Sequence, residues 1–398
     1  MGRNYNKPIL DEENNPIKIA ELGDHHCIRC VKKANAFKKV GYEIHGMGSR
    51  PSFGTDVYDT YHTFKNQHQF KMAIKNLIQT GVRIFTWNNE PHHQAVWTRE
   101  VITEMGVRDK VKLIIDVHDS DLIRRAFAPL DEINMFRVAD GIIYASLPIQ
   151  QKLNRAYRIN VPYTTIYSYC NEGIIEYDKD APRKNALVYE GGANPFGNAQ
   201  YDEAFRYRSL YHIMKQLVEQ GNQVEMFLGN IDAYETYHDT GAVLYPPTDY
   251  KEMMTALTKF KYGLCIFNNE KRDQPQVQLT ITNKQFEYLQ AGLPILACYC
   301  PEVEKYVRKH RIGFTFENLS DIGNMSHLED KYKEVYENIQ IKRKELIMEN
   351  YIQRLECLYA FVLGLKGKAI DRDTKKRHIF EYGKDDAMHC FDYNKRVI

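Results

Sequence analysis

The strongest constraint on this chain is a rhythm that runs twice. Short apolar, β-branched runs alternate with helix-length segments from Ile17 to Tyr167. The rhythm stops across the charged stretch 177–185 (YDKDAPRKN) and restarts at Ala186. Helix-length connections join parallel strands, whereas antiparallel neighbours can close in two residues. The alternation therefore predicts open parallel sheets with helices on both faces. Strands are expected at Ile17–Gly23, Tyr42–Met47, Arg83–Trp87, Lys112–Val117, Gly141–Ser146 and Tyr163–Tyr167. After the linker they are expected at Ala186–Tyr189, Gln223–Leu228, Ala242–Tyr245, Tyr262–Phe267, Pro294–Cys298 and Ile312–Phe316. Helices are expected over 27–40, 67–80, 92–105, 128–138, 147–156, 201–220, 250–260, 284–291, 301–309 and 330–365. The fold class is α/β, with two tandem Rossmann-like, doubly wound domains over 1–178 and 186–365. The tail 366–398 either packs back on the first domain or is loose. Ligands in such sheets bind outside the carboxyl ends of the strands, so the chemistry is expected in strand-end loops facing a cleft between the domains.

Composition narrows the partners. The 398 residues carry a net charge of only +2, which excludes a global electrostatic funnel for nucleic acid. The segment Met1–Pro16 is polar and has no signal-like apolar core, and no window is long and apolar enough to span a bilayer. The expected location is cytoplasmic, or at most peripheral to a membrane. The eight cysteines are irregularly spaced, and several lie in strand-like runs such as YGLCIF around Cys265, where reduced, buried thiols sit. Cys27-Ile28-Arg29-Cys30 lacks a partner pair at zinc spacing and reads as a buried helix start.

The sharpest motif is Thr282–Ala297, TNKQFEYLQAGLPILA. Thr282 and Gln285 have capping-box spacing, so a helix is expected to start at Thr282, with free amides near Asn283 and Lys284 able to meet an anion. Gly292 ends the helix and Pro294 opens a strand. Phe286, Leu289 and Leu293 form its buried stripe. Glu287 lies off that stripe, where it is either a solvated carboxylate or an acceptor for ribose hydroxyls. Upstream, LVYEGGANPF runs a strand into Gly191-Gly192, a turn that permits close backbone approach to a diphosphate.

The run 282–297 resembles the nucleotide-sugar site of the family 4 glycosyltransferases. That family carries a stretch of the type P-x-K-x-F-E-Y-L-x-x-G-x-P-V. Lys284, Phe286, Glu287, Tyr288, Leu289, Gly292 and Pro294 occupy its places. Thr282 replaces the leading proline, and Leu279 stands where the family has a further acid. The resemblance implies a GT-B architecture and a ribose-binding role for Glu287. It also implies that the loop at Gly191-Gly192 lies at the donor phosphates. The family's arginine and lysine just after that loop are missing, and Lys271 and Arg272 are candidates to supply the charge.

Three polar loops end strands of the first half: Gly23-Asp24-His25-His26, Asn88-Asn89-Glu90-Pro91-His92-His93, and Val117-His118-Asp119-Ser120-Asp121. Parallel strands end on one side, so the three loops converge. They resemble family 4 strand ends in which a histidine and an acid face the reacting sugar. His118 and Asp119 are the expected catalytic pair, with Asp24, His25, Asn89 and Glu90 on the acceptor side. His92 and His93 read as structural. Asp119-Ser120-Asp121 is also a D-x-D, the metal-binding signature of single-sheet glycosyltransferases. The two-domain pattern argues against that role.

The expected activity is transfer of a sugar from a nucleoside-diphosphate sugar to a hydroxyl acceptor, with no cofactor and no required metal. Glycans, lipids and modified DNA bases remain open as acceptors. The basic run 366–377 (KGKAIDRDTKKR) suits phosphate contacts or is a solvated terminus. A nucleotide-sugar epimerase and a non-catalytic sugar-nucleotide-binding protein are the alternatives.

Overall fold

The structure, a computed structural model, describes residues 8–365 except 12, 14, 24–27, 52–53, 89 and 198–202. The candidates Asp24, His25 and Asn89, and the tail 366–398, lie outside the described residues.

The described chain forms two compact units. The first opens with β1 (Lys18–Leu22), α1 (Ile28–Val40), β2 (Ile44–Gly48) and β3 (Thr60–Thr63). It continues through α2 (Gln67–Gln79), β4 (Val82–Asn88), α3 (His93–Glu104), β5 (Lys112–Val117), α4 (Asp121–Arg125) and α5 (Leu130–Val138). β6 (Gly141–Tyr144), α6 (Leu147–Tyr157) and β7 (Tyr163–Thr165) complete its sheet. The strand order is β3-β2-β1-β4-β5-β6-β7, and every pairing is parallel. All of its strand carboxyl ends therefore fall on one edge. β3 was not expected. Its sequence, TYHT, is largely solvent-facing, so it offers no apolar run and is held as an edge strand by pairing with β2.

The second unit contains β8 (Lys184–Gly191), α7 (Tyr211–Glu219), β9 (Val224–Leu228), α8 (Ile231–Thr236), β10 (Val243–Tyr245), α9 (Tyr250–Leu257) and β11 (Phe260–Ile266). It closes with α10 (Pro275–Leu279), α11 (Lys284–Gln290), β12 (Ile295–Cys298), α12 (Pro301–His310), β13 (Gly313–Phe316) and α13 (Glu329–Glu345). Its sheet order is β10-β9-β8-β11-β12-β13, again parallel throughout. All six expected strands are present. The expected helix over 201–220 is instead a 3₁₀ turn over Glu203–Arg208 followed by α7.

The expected domain limits shift at both ends. The first unit runs to Asn171 rather than 178. It also takes back the chain from Met348, so the second spans Glu172–Ile347 rather than 186–365. The single helical region expected over 330–365 breaks after Glu345, and α14 (Gln353–Val362) packs in the first unit. There Arg354 Nη1 donates to the Thr165 carbonyl at 3.1 Å, and Tyr42 Oη donates to Glu356 Oε1 at 2.6 Å. Tyr359 Oη meets Thr86 Oγ1 at 3.1 Å. No local sequence signal marks this crossing, because α14 is apolar enough to be buried in either unit.

The six described cysteines, 30, 170, 265, 298, 300 and 357, are all buried. Cys300 Sγ contacts the Cys265 carbonyl at 3.3 Å. No helix among the described residues is long and apolar enough to cross a membrane.

Close packing sets the register of the second sheet against α11. The Tyr288 ring lies flat on Gly263, where a Cβ would come within 2.3 Å of the ring. Its hydroxyl takes the Glu190 N–H at 3.0 Å and reaches the Leu264 carbonyl at 3.3 Å. Gly263→Ala should therefore overpack this joint and cost about 1–3 kcal/mol, read as a lower denaturant midpoint at unchanged m-value.

Candidate functional site

In the second unit, strand order reverses at β8, which lies between β9 and β11. Such switch points open a crevice at the strand ends. β8 ends there in Gly191, held at φ +119, a conformation that suits glycine. The turn is tied down from three sides. Gly229 N–H donates to the Gly191 carbonyl at 3.0 Å. Tyr189 Oη donates to the Gly192 carbonyl at 2.9 Å. Asn194 N–H donates to the Arg208 carbonyl at 2.8 Å, which seats the Arg208 guanidinium at the loop.

Two cations meet these glycines. A Cβ on Gly191 would lie 3.1 Å from Lys284 Nζ, and one on Gly192 would lie 3.6 Å from Arg208 Nη1. Lys284 is half-buried, and its ammonium sits over the Tyr189 and Phe267 rings at 5.1 and 5.3 Å. Burial pulls its pKa down, but the Tyr189 phenol and the Glu190 carboxylate more than reverse this, and the net direction is up. It is therefore charged at neutral pH. Arg208 stacks against Phe205 and Tyr207, 5.7 and 5.5 Å from their centroids. Arg208 was not expected. Its signal, an arginine some sixteen residues past a glycine pair, has no meaning until the 3₁₀ turn folds it back.

The candidates Lys271 and Arg272 are both exposed. Arg272 Nη1 lies 3.8 Å from Glu304 Oε2, and no contact places either residue at the glycines. The expected capping box is also corrected. α11 starts at Lys284 rather than Thr282, and Asn283 is already helical at φ −65, ψ −41 without a side-chain cap. Thr282 Oγ1 and both amide atoms of Gln285 are buried without a hydrogen bond, so the reciprocal bonds of a box are absent. The motif fails because Asn283, not Thr282, supplies the first helical carbonyl, to Phe286 and Glu287.

Glu287 is not a solvated helix carboxylate. It is 3% exposed, and Tyr250 Oη donates to its Oε1 at 3.1 Å. Tyr250 opens α9, so Glu287 faces the loop that follows β10. Lys284 and Glu287 stand three residues apart on α11, which puts them on neighbouring parts of one face. One face of α11 thus presents a cation to the glycine turn and an acid beside it.

In the first unit, β1, β4 and β5 are neighbours, and their ends do converge as expected. Beneath them lies a cluster that sequence reasoning missed. Lys33 Nζ donates to Asp116 Oδ2 at 2.5 Å, to Glu21 Oε2 at 3.1 Å and to Asn88 Oδ1 at 3.3 Å. Arg29 grips Asp116 through Nε at 3.1 Å to each oxygen and through Nη2 at 3.0 Å to Oδ1. Asn88 Nδ2 donates to Glu21 Oε2 at 2.9 Å. All five residues are buried. Burial alone would raise Asp116, but Arg29, Lys33 and His118 hold it well below the usual carboxylate range. For Glu21 burial wins, and its pKa is raised. The clue was visible: Glu21 and Asp116 interrupt apolar strands, and Arg29 and Lys33 are spaced i,i+4 on a helix.

His118 follows β5 and is partly exposed, with Nε2 3.4 Å from Asp116 Oδ1. Asp119 is ion-paired with Arg124, which also holds Glu90 at 3.2 Å. Arg124 thereby joins the loops after β4 and β5. Below them, Ser120 Oγ donates to Glu132 Oε1, and Leu122 N–H donates to Glu132 Oε2 at 3.2 Å. Burial pushes the Glu132 carboxyl up. Asp121 pairs with Arg125 at 3.3 Å, so both acids of the D-x-D are engaged by arginines. Among the described residues no group of three or more His, Cys, Asp or Glu could hold a metal ion. His92 is buried, and His93 packs on Trp97 with ring centroids 4.4 Å apart.

Residues 216–356 match the model of the glucosyltransferase 3-like C-terminal domain family. This range includes Lys284 and Glu287 and excludes the glycine turn. Comparison with curated protein sequences gives no match. In structure, the chain is similar to a sucrose-phosphate synthase from Thermosynechococcus elongatus, with a TM-score of 0.62 at 12% identity over 88% of this chain and 100% of that one. It is also similar to a glycosyltransferase from Rickettsia africae, with a TM-score of 0.59 at 10% identity over 89% and 100% of the two chains. A third is WaaG, a glycosyltransferase involved in lipopolysaccharide biosynthesis, with a TM-score of 0.53 at 9% identity over 86% and 99%. These likenesses establish the GT-B fold, with its two Rossmann-like domains. The matched domain makes the chain an enzyme of the glycosyltransferase class.

The buried cluster balances two acids with two cations. Removing one cation leaves an unmatched carboxylate out of water, which is costly. Lys33→Met should destabilise the first unit by about 3–5 kcal/mol, measured by chemical denaturation.

Proposed function

We propose that this glycosyltransferase takes its sugar from a nucleoside-diphosphate donor held by the second unit and passes it to a hydroxyl acceptor at the first. One observation carries the donor assignment: a glycine turn at the switch point of the sheet, with two cations on it and a buried acid beside it. The backbone of Gly191-Gly192 admits the diphosphate. Lys284 and Arg208 face the charge that grows on it as the glycosidic bond breaks, and preorganised cations of this kind stabilise a leaving group without solvent reorganisation. No metal is required in this reading. Glu287 accepts hydrogen bonds from ribose hydroxyls, with Tyr250 holding its carboxylate in place. Thr282 and Asn283 flank this site. On the first unit, His118 and Asp119 are the proposed catalytic pair. Asp119 is held by its ion pair to Arg124.

A thermal-shift series with UDP, GDP, ADP and CMP, each with and without magnesium, tests the donor class. A ligand at 100 times its Kd adds about 2.7 kcal/mol to apparent stability. One diphosphate should raise the midpoint equally with and without metal. No shift with any of them would remove the nucleotide-sugar reading. Glu287→Ala should weaken the diphosphate that binds by about tenfold or more, as expected for lost hydrogen bonds to a charged acceptor. Titration calorimetry giving an unchanged Kd would place the ribose elsewhere.

A further inference from the structure

We propose that Arg183 and Arg343 are positioning residues for the donor: together they clamp the C-terminal end of α11 and so fix where its other end carries Lys284 and Glu287. This rests on the reading of those two side chains as donor contacts.

A helix ends in carbonyls that have no partner inside it. In α11 the backbone meets two of them. Gly292, at φ +74, donates its N–H to the Leu289 carbonyl at 3.0 Å, and Leu293 N–H donates to the Tyr288 carbonyl at 2.8 Å. This Schellman pattern leaves the Gln290 and Ala291 carbonyls, and guanidinium groups take both. Arg343 donates to the Gln290 carbonyl through Nε at 3.2 Å and Nη2 at 2.7 Å. Gln290 Nε2 donates in return to the Arg343 carbonyl at 2.6 Å. Arg183 Nη2 donates to the Ala291 carbonyl at 3.2 Å, and its Nη1 donates to the Phe260 carbonyl, at the start of β11, at 3.1 Å. Two cations thus meet the negative end of the helix.

Tyr177 sets the spacing of the pair. The Arg343 guanidinium stacks on its ring, with Cζ 3.5 Å from the centroid, and Arg183 Nη2 donates to its hydroxyl at 3.2 Å. A Cβ on Gly292 would come within 2.2 Å of that hydroxyl oxygen, so the phenol lies against the helix end itself. Tyr177 Oη meets Tyr336 Oη at 3.0 Å, and Tyr336 Oη donates to the Lys179 carbonyl at 2.6 Å.

The clamp is built from both ends of its unit. The second unit begins at Glu172 and closes at Ile347. Tyr177 and Arg183 lie on the segment by which the chain enters it, and Arg343 lies in the last turn of α13, just before the chain leaves. α11 has only seven residues, about two turns, so a displacement at Ala291 is carried directly to Lys284. So short a helix is not stable alone, and its place is set by what holds its ends.

The test separates position from stability. Full-length wild type, Arg343→Gln and Arg343→Lys are titrated with UDP, GDP and ADP by calorimetry, and native-state amide exchange is recorded on the same proteins. The diphosphate that binds wild type should bind Arg343→Gln about threefold or more weakly. Lysine keeps the charge but not the bidentate fork, so Arg343→Lys should fall between the two. The Gly292 and Leu293 amides should exchange about tenfold or more faster in Arg343→Gln, relative to the β9 amides. A merely structural arginine would lower the denaturation midpoint and leave the affinity of the folded protein as it was. Unchanged affinity in Arg343→Gln therefore overturns the proposal while leaving the donor reading intact. Should that variant not fold, Arg343→Lys decides on the same two readouts, and wild-type values in it overturn the proposal. A wild type that binds none of the three diphosphates sinks the donor reading. The exchange measurement then decides the clamp alone, and unchanged Gly292 and Leu293 rates overturn it.

Discussion

Lys33 sits where three strands of the first sheet end, and it donates to Glu21, Asn88 and Asp116 at once. Taking such charges out of water costs several kcal/mol per ion, and only close, multiple hydrogen bonds offset that cost. The cluster therefore tolerates little displacement of α1 against β1, β4 and β5. Arg29 extends the same lock from α1 to the segment after β7 through the Ile166 carbonyl and Ser168. Geometry fixed this tightly beneath a sheet edge lets the loops above it place side chains reproducibly.

Those loops are organised by charge as well. Arg124 gathers Asp119 and Glu90, while Glu132 supports Ser120 and Leu122 from below. His118 sits between these supports and the buried Asp116. The acids nearest the histidine, Asp116 and Asp119, are thus each paired with an arginine.

The second sheet solves a different problem. The proposed donor, an anion with two phosphates, would need backbone approach and positive charge, and the switch point at β8 brings glycines and cations together. Gly191 and Gly192 supply the approach, and Lys284 and Arg208 supply the charge from opposite directions in sequence. Tyr288, pressed on Gly263, and Glu287, bonded to Tyr250, fix α11 so that Lys284 keeps its reach to the glycines.

The sequence by itself determined the fold class and the position along the chain of nearly every strand, because parallel sheets with helical crossovers impose a period and a spacing that survive in one dimension. It also located α11, the glycine turn and His118, because each lies at a strand or helix end marked by glycine, proline or a polar run. Only the tertiary structure decided which charges meet. The pairing of Lys33 with Glu21 and Asp116, the arrival of Arg208 at Gly192 and the engagement of Asp119 by Arg124 depend on packing between distant segments. So does the return of α14 to the first unit. The misplaced capping box has the same origin: its spacing is local, but the burial of Thr282 and Gln285 is set by the sheet they pack against. Periodicity is a property of neighbouring residues, whereas the neutralisation of a buried charge is a property of whatever the fold brings beside it.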